Sequence, residues 1–203
     1  MLDVINLECT RGDRPLFRDL SFSLKAGELL HITGCNGSGK TTLLRTLCGL
    51  TRPAAGEIRW NGMPIRNLSD DYHEVFAYVG HSDGIQGELT PAENLRAAAG
   101  LAGRNAPPIT QTLERMALAA YHHFPAKILS QGQKRRLGLA RLLVLQKPLW
   151  ILDEPFSVLD ARSTAMMTDL LAEHLASGGM IVITSHQELT IQVTSVLRIS
   201  LDS

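Results

Sequence analysis

Two short runs in this chain carry residue types that can do chemistry. The first is Gly34, Cys35, Asn36, Gly37, Ser38, Gly39, Lys40, Thr41 and Thr42, which fits G-x-x-x-x-G-K-[ST]. Glycines let a backbone curl until successive N–H groups converge on phosphate oxygens, with a helix N-terminus behind them. In that arrangement Lys40 meets the β- and γ-phosphates of a nucleotide as a point charge, and Thr41 offers its hydroxyl to Mg²⁺. The second run, Leu149 to Leu152 followed by Asp153 and Glu154, is an apolar strand that ends in two acids. A carboxylate at the carboxyl end of a strand neighbouring the loop can hold the same Mg²⁺, which points to Asp153. A second carboxylate one residue later can take a proton from attacking water, which points to Glu154.

These residues need a scaffold, and the flanks supply its outline. Leu29 to Thr33 is a short apolar run suited to a buried strand, and Leu43 to Cys48 has helical spacing that stops at Gly49. Residues 4–8 and 20–24 alternate like strands, Glu57 to Trp60 leads into the hairpin signal Asn61-Gly62, and Phe76 to Val79 is a further strand. From about residue 88 to 147 the pattern turns helical. Pro91 follows Thr90, Glu93 completes a capping-box spacing, residues 105–108 break the chain, and Ile109 to Ala120 and Gln131 to Leu145 resume helical periodicity. Ala161 to Leu175 reads as a helix, Met180 to Ile183 as a strand, and Val196 to Leu201 as a last one. Strands alternating with helices imply a parallel core. The expectation is one α/β domain over 1–203 with a mixed sheet, its core at about 1–87 and 148–203, and an inserted helical subdomain at about 88–147.

Composition narrows the class. A chain of 203 residues can bury a sizeable core, and 44% hydrophobic with 5% aromatic residues suits an aliphatic α/β protein. Lys+Arg and Asp+Glu balance at 20 each, so no global field draws the chain to nucleic acid, and no nucleic-acid partner is expected. Cys9, Cys35 and Cys48 have no metal-binding spacing, and their odd number argues against a disulfide framework. The start of the chain has no basic region followed by an apolar run, and no stretch approaches the roughly 18 apolar residues of a span. A membrane role would therefore run through a partner.

Further motifs give the chain a family resemblance. Leu129, Ser130, Gln131, Gly132 and Gln133 resemble the LSGGQ signature of ABC-type ATPases, between the two chemical runs and at a helix start. Ser157 to Asp160 resembles that family's D-loop, and Thr184, Ser185 and His186 its switch histidine. The resemblance implies two copies paired head to tail, with Ser130 to Gln133 of one closing on ATP held by Lys40 of the other. Asp160 would lie in the D-loop, and His186 would meet the γ-phosphate and hold Glu154 and water in line. Two positions depart from the family pattern. Arg11 stands where an aromatic usually stacks on adenine, and its guanidinium plane can stack there instead. His81 follows Gly80 where a glutamine normally reaches Mg²⁺ and water, and is expected to replace it.

Gly80 to Ile85, Glu88 to Thr90, Glu93 to Leu95 and the run through Phe156 are similar to the small ATP-binding subunits of cytochrome c maturation systems. That likeness implies an ATP-hydrolysing subunit, peripheral on the cytoplasmic face of a bacterial inner membrane, bound to integral membrane subunits. Its hydrolysis would support haem export, or release of a haem-loaded chaperone, with ATP and Mg²⁺ as cofactors. The segment His81 to Leu95 would face the membrane partner. The seven histidines are scattered without a haem-attachment motif, so direct haem binding is not expected. A soluble ABC ATPase, another small transporter subunit, a small-molecule kinase and a nucleotide-dependent assembly module are the competing readings. The kinase leaves Ser130 to Gln133 unexplained.

Overall fold

A computed structural model of the chain describes all residues except 13, 69, 102–107, 186–190, 192–194 and 203. Its centre is a parallel sheet of five strands in the order β6 (Phe76–Val79), β7 (Leu149–Asp153), β8 (Met180–Thr184), β3 (Leu29–Thr33) and β9 (Val196–Ser200). All four pairings are parallel, so all five carboxyl ends lie along one edge. Every residue of β7 and β8 is buried, which explains their unbroken apolar runs. Their side chains still alternate between two faces. Trp150, Leu152, Ile181 and Ile183 enter one buried cluster, while Leu149, Ile151, Met180 and Val182 enter another.

The first cluster also takes α6 (Ala161–Ala176) and the helices α3 (Pro91–Leu101), α4 (Ile109–Arg115) and α5 (Gln131–Leu145), through Leu95, Leu113, Leu137 and Leu171. The second takes α1 (Lys40–Leu47), to which the one-turn α2 (Asp70–His73) is tied by Tyr72 Oη donating to the Leu47 carbonyl at 2.7 Å, and a separate antiparallel sheet. That sheet runs β2 (Arg14–Leu24), β1 (Leu2–Arg11), β4 (Ala55–Trp60) and β5 (Met63–Pro64). The expected α/β class holds, but its mixed sheet is divided in two, one sheet wholly parallel and one wholly antiparallel. Local chemistry explains much of the rest. Asn61 and Gly62 both take positive φ, 49° and 82°, closing the β4–β5 hairpin with Trp60 opposite Met63. Thr90 and Glu93 form the capping box that starts α3, each accepting from the other's backbone N–H. Helical spacing past Arg115 gives way to a short 3₁₀ turn at Ala119–Tyr121.

Candidate functional site

The glycine run leaves β3 and becomes the first turn of α1, as its flanks predict. Gly34, Gly37 and Gly39 all take positive φ (146°, 85° and 106°), where L side chains are strained. A Cβ on Gly34 would lie 2.6 Å from Ser38 Oγ, and one on Gly39 3.1 Å from Leu16 Cβ. Helix α1 has no side-chain cap and no acid in its first turn, so its leading N–H groups stay open to an anion. Lys40 is 8% exposed and folds back along the loop, donating from Nζ to the carbonyls of Gly34 at 2.6 Å and Cys35 at 3.1 Å. Ser38 Oγ is buried with no hydrogen-bond partner, an orphan that a phosphate oxygen would satisfy.

The two acids arrive from β7, which is not beside β3. Strand β8 stands between, and its last residue fills the gap. Thr184 Oγ1 donates to Asp153 Oδ1 at 2.7 Å, while Thr41 Oγ1 donates to Asp153 Oδ2 at 2.8 Å. Asp153 is 3% exposed, and these two hydroxyls aim its carboxylate at the loop. Thr184 Oγ1 also accepts from the Glu154 backbone N–H at 3.0 Å, so one hydroxyl sets both acids. Glu154 takes a left-handed φ of 49°, a strain of order 1 kcal/mol that turns the chain sharply after the strand. The sequence reading ends the strand at Ile183 and names Thr184 only as the residue that opens the switch-histidine run, so its bond to Asp153 is new with the structure. Tyr78 lies close by, and burial, helped by the Asp153 charge, pushes its phenol up to about 12.

Asn36, Gly37, Gly39, Lys40, Thr41, Thr42, Asp153 and Glu154 line one cavity of about 300 Å³, joined by Arg11 and His81. Gln86, the first glutamine after His81 in the chain, lines a different pocket, its backbone N–H held by Asn94 Oδ1. His186 lies outside the described residues. Cys35 is exposed and its backbone N–H donates to Asp202 Oδ1 at 2.6 Å, a bond that holds the Asp202 carboxyl below the usual carboxylate range. Asp202 is a residue that sequence reasoning missed. The hydroxyl–carboxylate pair of Thr41 and Asp153 is a hard-oxygen donor set of the kind Mg²⁺ takes, with water completing its shell.

Ser130, Gln131, Gly132 and Gln133 do not line this cavity. They form the start of α5, where Ser130 Oγ accepts from Gln133 N and the Gln133 side chain accepts from Ser130 N. The cap uses the serine oxygen as acceptor and leaves its hydroxyl hydrogen to donate elsewhere. Gly132 packs where a Cβ would lie 3.1 Å from the Val158 carbonyl, so this turn sits against the 157–160 loop. Asp160 itself caps α6, accepting from Ser163 N at 2.7 Å, and the Ser163 side chain, together with that N–H, holds its carboxyl below the usual range.

Residues 17–157, spanning the phosphate loop, the capped turn and both acids, match the ABC transporter family. The chain belongs to the ATP-binding family of ABC transporters. The cytochrome c biogenesis ATP-binding export protein CcmA of Nitrosomonas europaea is 49% identical, over 97% of this chain and 93% of its own. The protein of the same name from Dechloromonas aromatica is 48% identical, over 99% of this chain and 100% of its own. Among solved structures, a putative ABC transporter ATP-binding protein from Pyrococcus furiosus superposes with a TM-score of 0.85 at 26% identity, covering 98% of this chain and 96% of that one. A dimeric bacterial ABC transporter cassette shares the fold, with a TM-score of 0.84 at 22% identity over 99% of this chain and 95% of that one. The ABC cassette is an ATP-binding, ATP-hydrolysing unit, and the cavity between α1 and β7 is where this chain's own residues fit that chemistry.

Proposed function

We propose that this cassette is the ATP-hydrolysing subunit of a membrane complex in cytochrome c biogenesis, working with haem export or release of a haem-loaded chaperone. The export proteins it resembles carry that pathway in their names, and no helix among the described residues is long and apolar enough to cross a membrane. The subunit would therefore sit on the cytoplasmic face of an inner membrane, bound to integral partners through the segment His81 to Leu95. The observation that carries the catalytic reading is Asp153, fixed between Thr41 and Thr184 with Glu154 on the next residue.

ATP phosphates sit on the N–H groups of the loop and α1, Lys40 turns from the loop carbonyls to the β- and γ-oxygens, and Arg11 lies under the base. Thr41 and Asp153 hold Mg²⁺, which when bound neutralises charge on the phosphates. Glu154 takes the proton as water oxygen bonds to the γ-phosphorus, and the bond from that phosphorus to the bridging oxygen breaks to release ADP. His81, at the mouth of the same cavity, orients the water together with His186. The helix start at Ser130 to Gln133 meets the γ-phosphate of a second copy; a bacterial cassette of this fold is itself dimeric.

Glu154→Gln tests the assignment because it keeps the shape and removes the base. ATP affinity is expected to stay within about threefold while turnover falls on the order of 100-fold or more, measured by nucleotide titration and steady-state phosphate release. Turnover equal to that of the unmodified chain would remove Glu154 from the reaction.

A further inference from the structure

Helix α5 carries a charge that neither the loop nor the acids use. Arg135 is 2% exposed, and a buried guanidinium must find acceptors for its donors. It finds them on two separate segments. Nη2 donates to the carbonyls of Asp153 at 2.8 Å and Glu154 at 2.9 Å, and Nε to that of Pro155 at 3.2 Å. Nη1 donates to the Gly80 carbonyl at 2.8 Å and to Asp83 Oδ1 at 3.0 Å. The first segment is the turn that carries both acids. The second is the loop that carries His81 and opens the stretch proposed to face the membrane partner. Arg135 itself sits two residues beyond Gln133, in the first turns of the helix that Ser130 caps.

The rest of the helix face fits the same loop. Gly138, one turn on, leaves room where a Cβ would lie 3.2 Å from the Asp83 backbone carbonyl and side chain. Arg141, a further turn along, reaches Asp83 O at 3.5 Å, and Gly84 at φ +63° would clash with its guanidinium if it carried a Cβ. Spacing of three residues puts Arg135, Gly138 and Arg141 on one stripe. The 80–84 loop is thus seated along α5, with the guanidinium of Arg135 as the contact that passes through to the acids.

We propose that Arg135 is a positioning residue for ATP hydrolysis, a single fork that holds His81's loop, the Asp153–Glu154 turn and the start of the signature helix in one register. The proposal rests on the reading of Glu154 as the base. It makes movement of the 80–84 loop inseparable from movement of the acids, because rigid planar donors reach both. An ammonium group cannot replace it, since three donors at one point cannot serve acceptors on two segments. Asp83 supplies the charge that balances the fork on the side away from the acids.

The test compares Arg135→Lys with the unmodified chain, co-purified with its membrane partners, in ATP affinity, kcat, KM and Tm. Affinity and KM are expected to change by less than about threefold while kcat falls about 10- to 100-fold, the scale of a misplaced catalytic group. Asp83→Asn, at a 21% exposed side chain, is the milder partner variant, expected to show the same split with a smaller loss of kcat, about 3- to 10-fold. The double variant should lose little more than Arg135→Lys alone, since both act through one contact. Unchanged kcat in Arg135→Lys, or affinity and kcat falling together in step with Tm, overturns the proposal. Should Arg135→Lys fail to fold, Asp83→Asn decides by the same criterion. Failure of the underlying reading looks different, because Glu154→Gln would then turn over ATP like the unmodified chain.

Discussion

Two helix starts lie at the centre of this protein, and they are built in opposite ways. Helix α1 begins at Gly39, in a left-handed conformation with no side-chain cap and no acid in its own first turn. Helix α5 begins at Ser130 with a complete capping box, its own side chains accepting from the N–H groups of Ser130 and Gln133. The first start is unfinished without an anion, and the orphaned Ser38 hydroxyl beside it says the same. The second is held by its own cap, so its geometry is set before any phosphate arrives. A site assembled from the two would pair a half that takes its order from ATP with a half that is already ordered.

Closing the open start should have the largest effect. Gly39→Ala forces an L side chain to φ 106° and into Leu16, and is expected to lower ATP affinity about 100-fold, equivalent to ~3 kcal/mol, by titration calorimetry. Affinity unchanged by that substitution would break the comparison at its first half. The capped start can be probed without uncapping it, because aspartate caps as well as serine. Ser130→Asp should therefore keep Tm within about 2 °C while setting a carboxylate against the γ-phosphate of the second copy. The ATP-dependent dimer, followed by size-exclusion chromatography in a Glu154→Gln background, is expected to disappear. A dimer that survives would mean the capped turn does not face nucleotide.

The smallest expected effect concerns two histidines in the scaffold behind these sites. Burial is the main cause that lowers both His31, whose Nε2 lies 3.4 Å from the Ser185 carbonyl, and His174, stacked on Trp150 with ring centroids 3.7 Å apart. Their folded values lie below the unfolded ones, so as pH falls through about 6.5 the unfolded chain takes up protons first and the fold loses stability. Tm is expected to drop between about pH 7.5 and about pH 5.5, and the drop should shrink in His174→Gln. A Tm that rises on acidification would reverse the sign and refute the assignment.

Much of the site was legible because its pieces are local. Glycines at positions that demand positive φ, a lysine and threonine at fixed offsets, and acids ending an apolar strand are readable one segment at a time. So was the Thr90–Glu93 cap, whose partners lie three residues apart; the Ser130–Gln133 cap has the same spacing but was read only as a motif at a helix start. The bonds made by Thr184, Arg135 and Asp202 were not legible, because their partners lie far along the chain. Thr184 meets Asp153 only because β8 is threaded between β7 and β3. The division of the strands into one parallel and one antiparallel sheet was hidden for a related reason. Alternation reports which face of a strand is buried, and says nothing about which sheet it joins.

By itself the sequence determined the kind of chemistry here, since residue type and short spacing set what a phosphate loop, an acid pair and a helix cap can do. Only the tertiary structure decided which hydroxyls aim Asp153, which cavity receives His81 rather than Gln86, and that Arg135 ties two distant segments together. Those outcomes depend on the order in which parallel strands pair. That order is set by long-range burial on both faces of the sheet, which no local run of residues encodes.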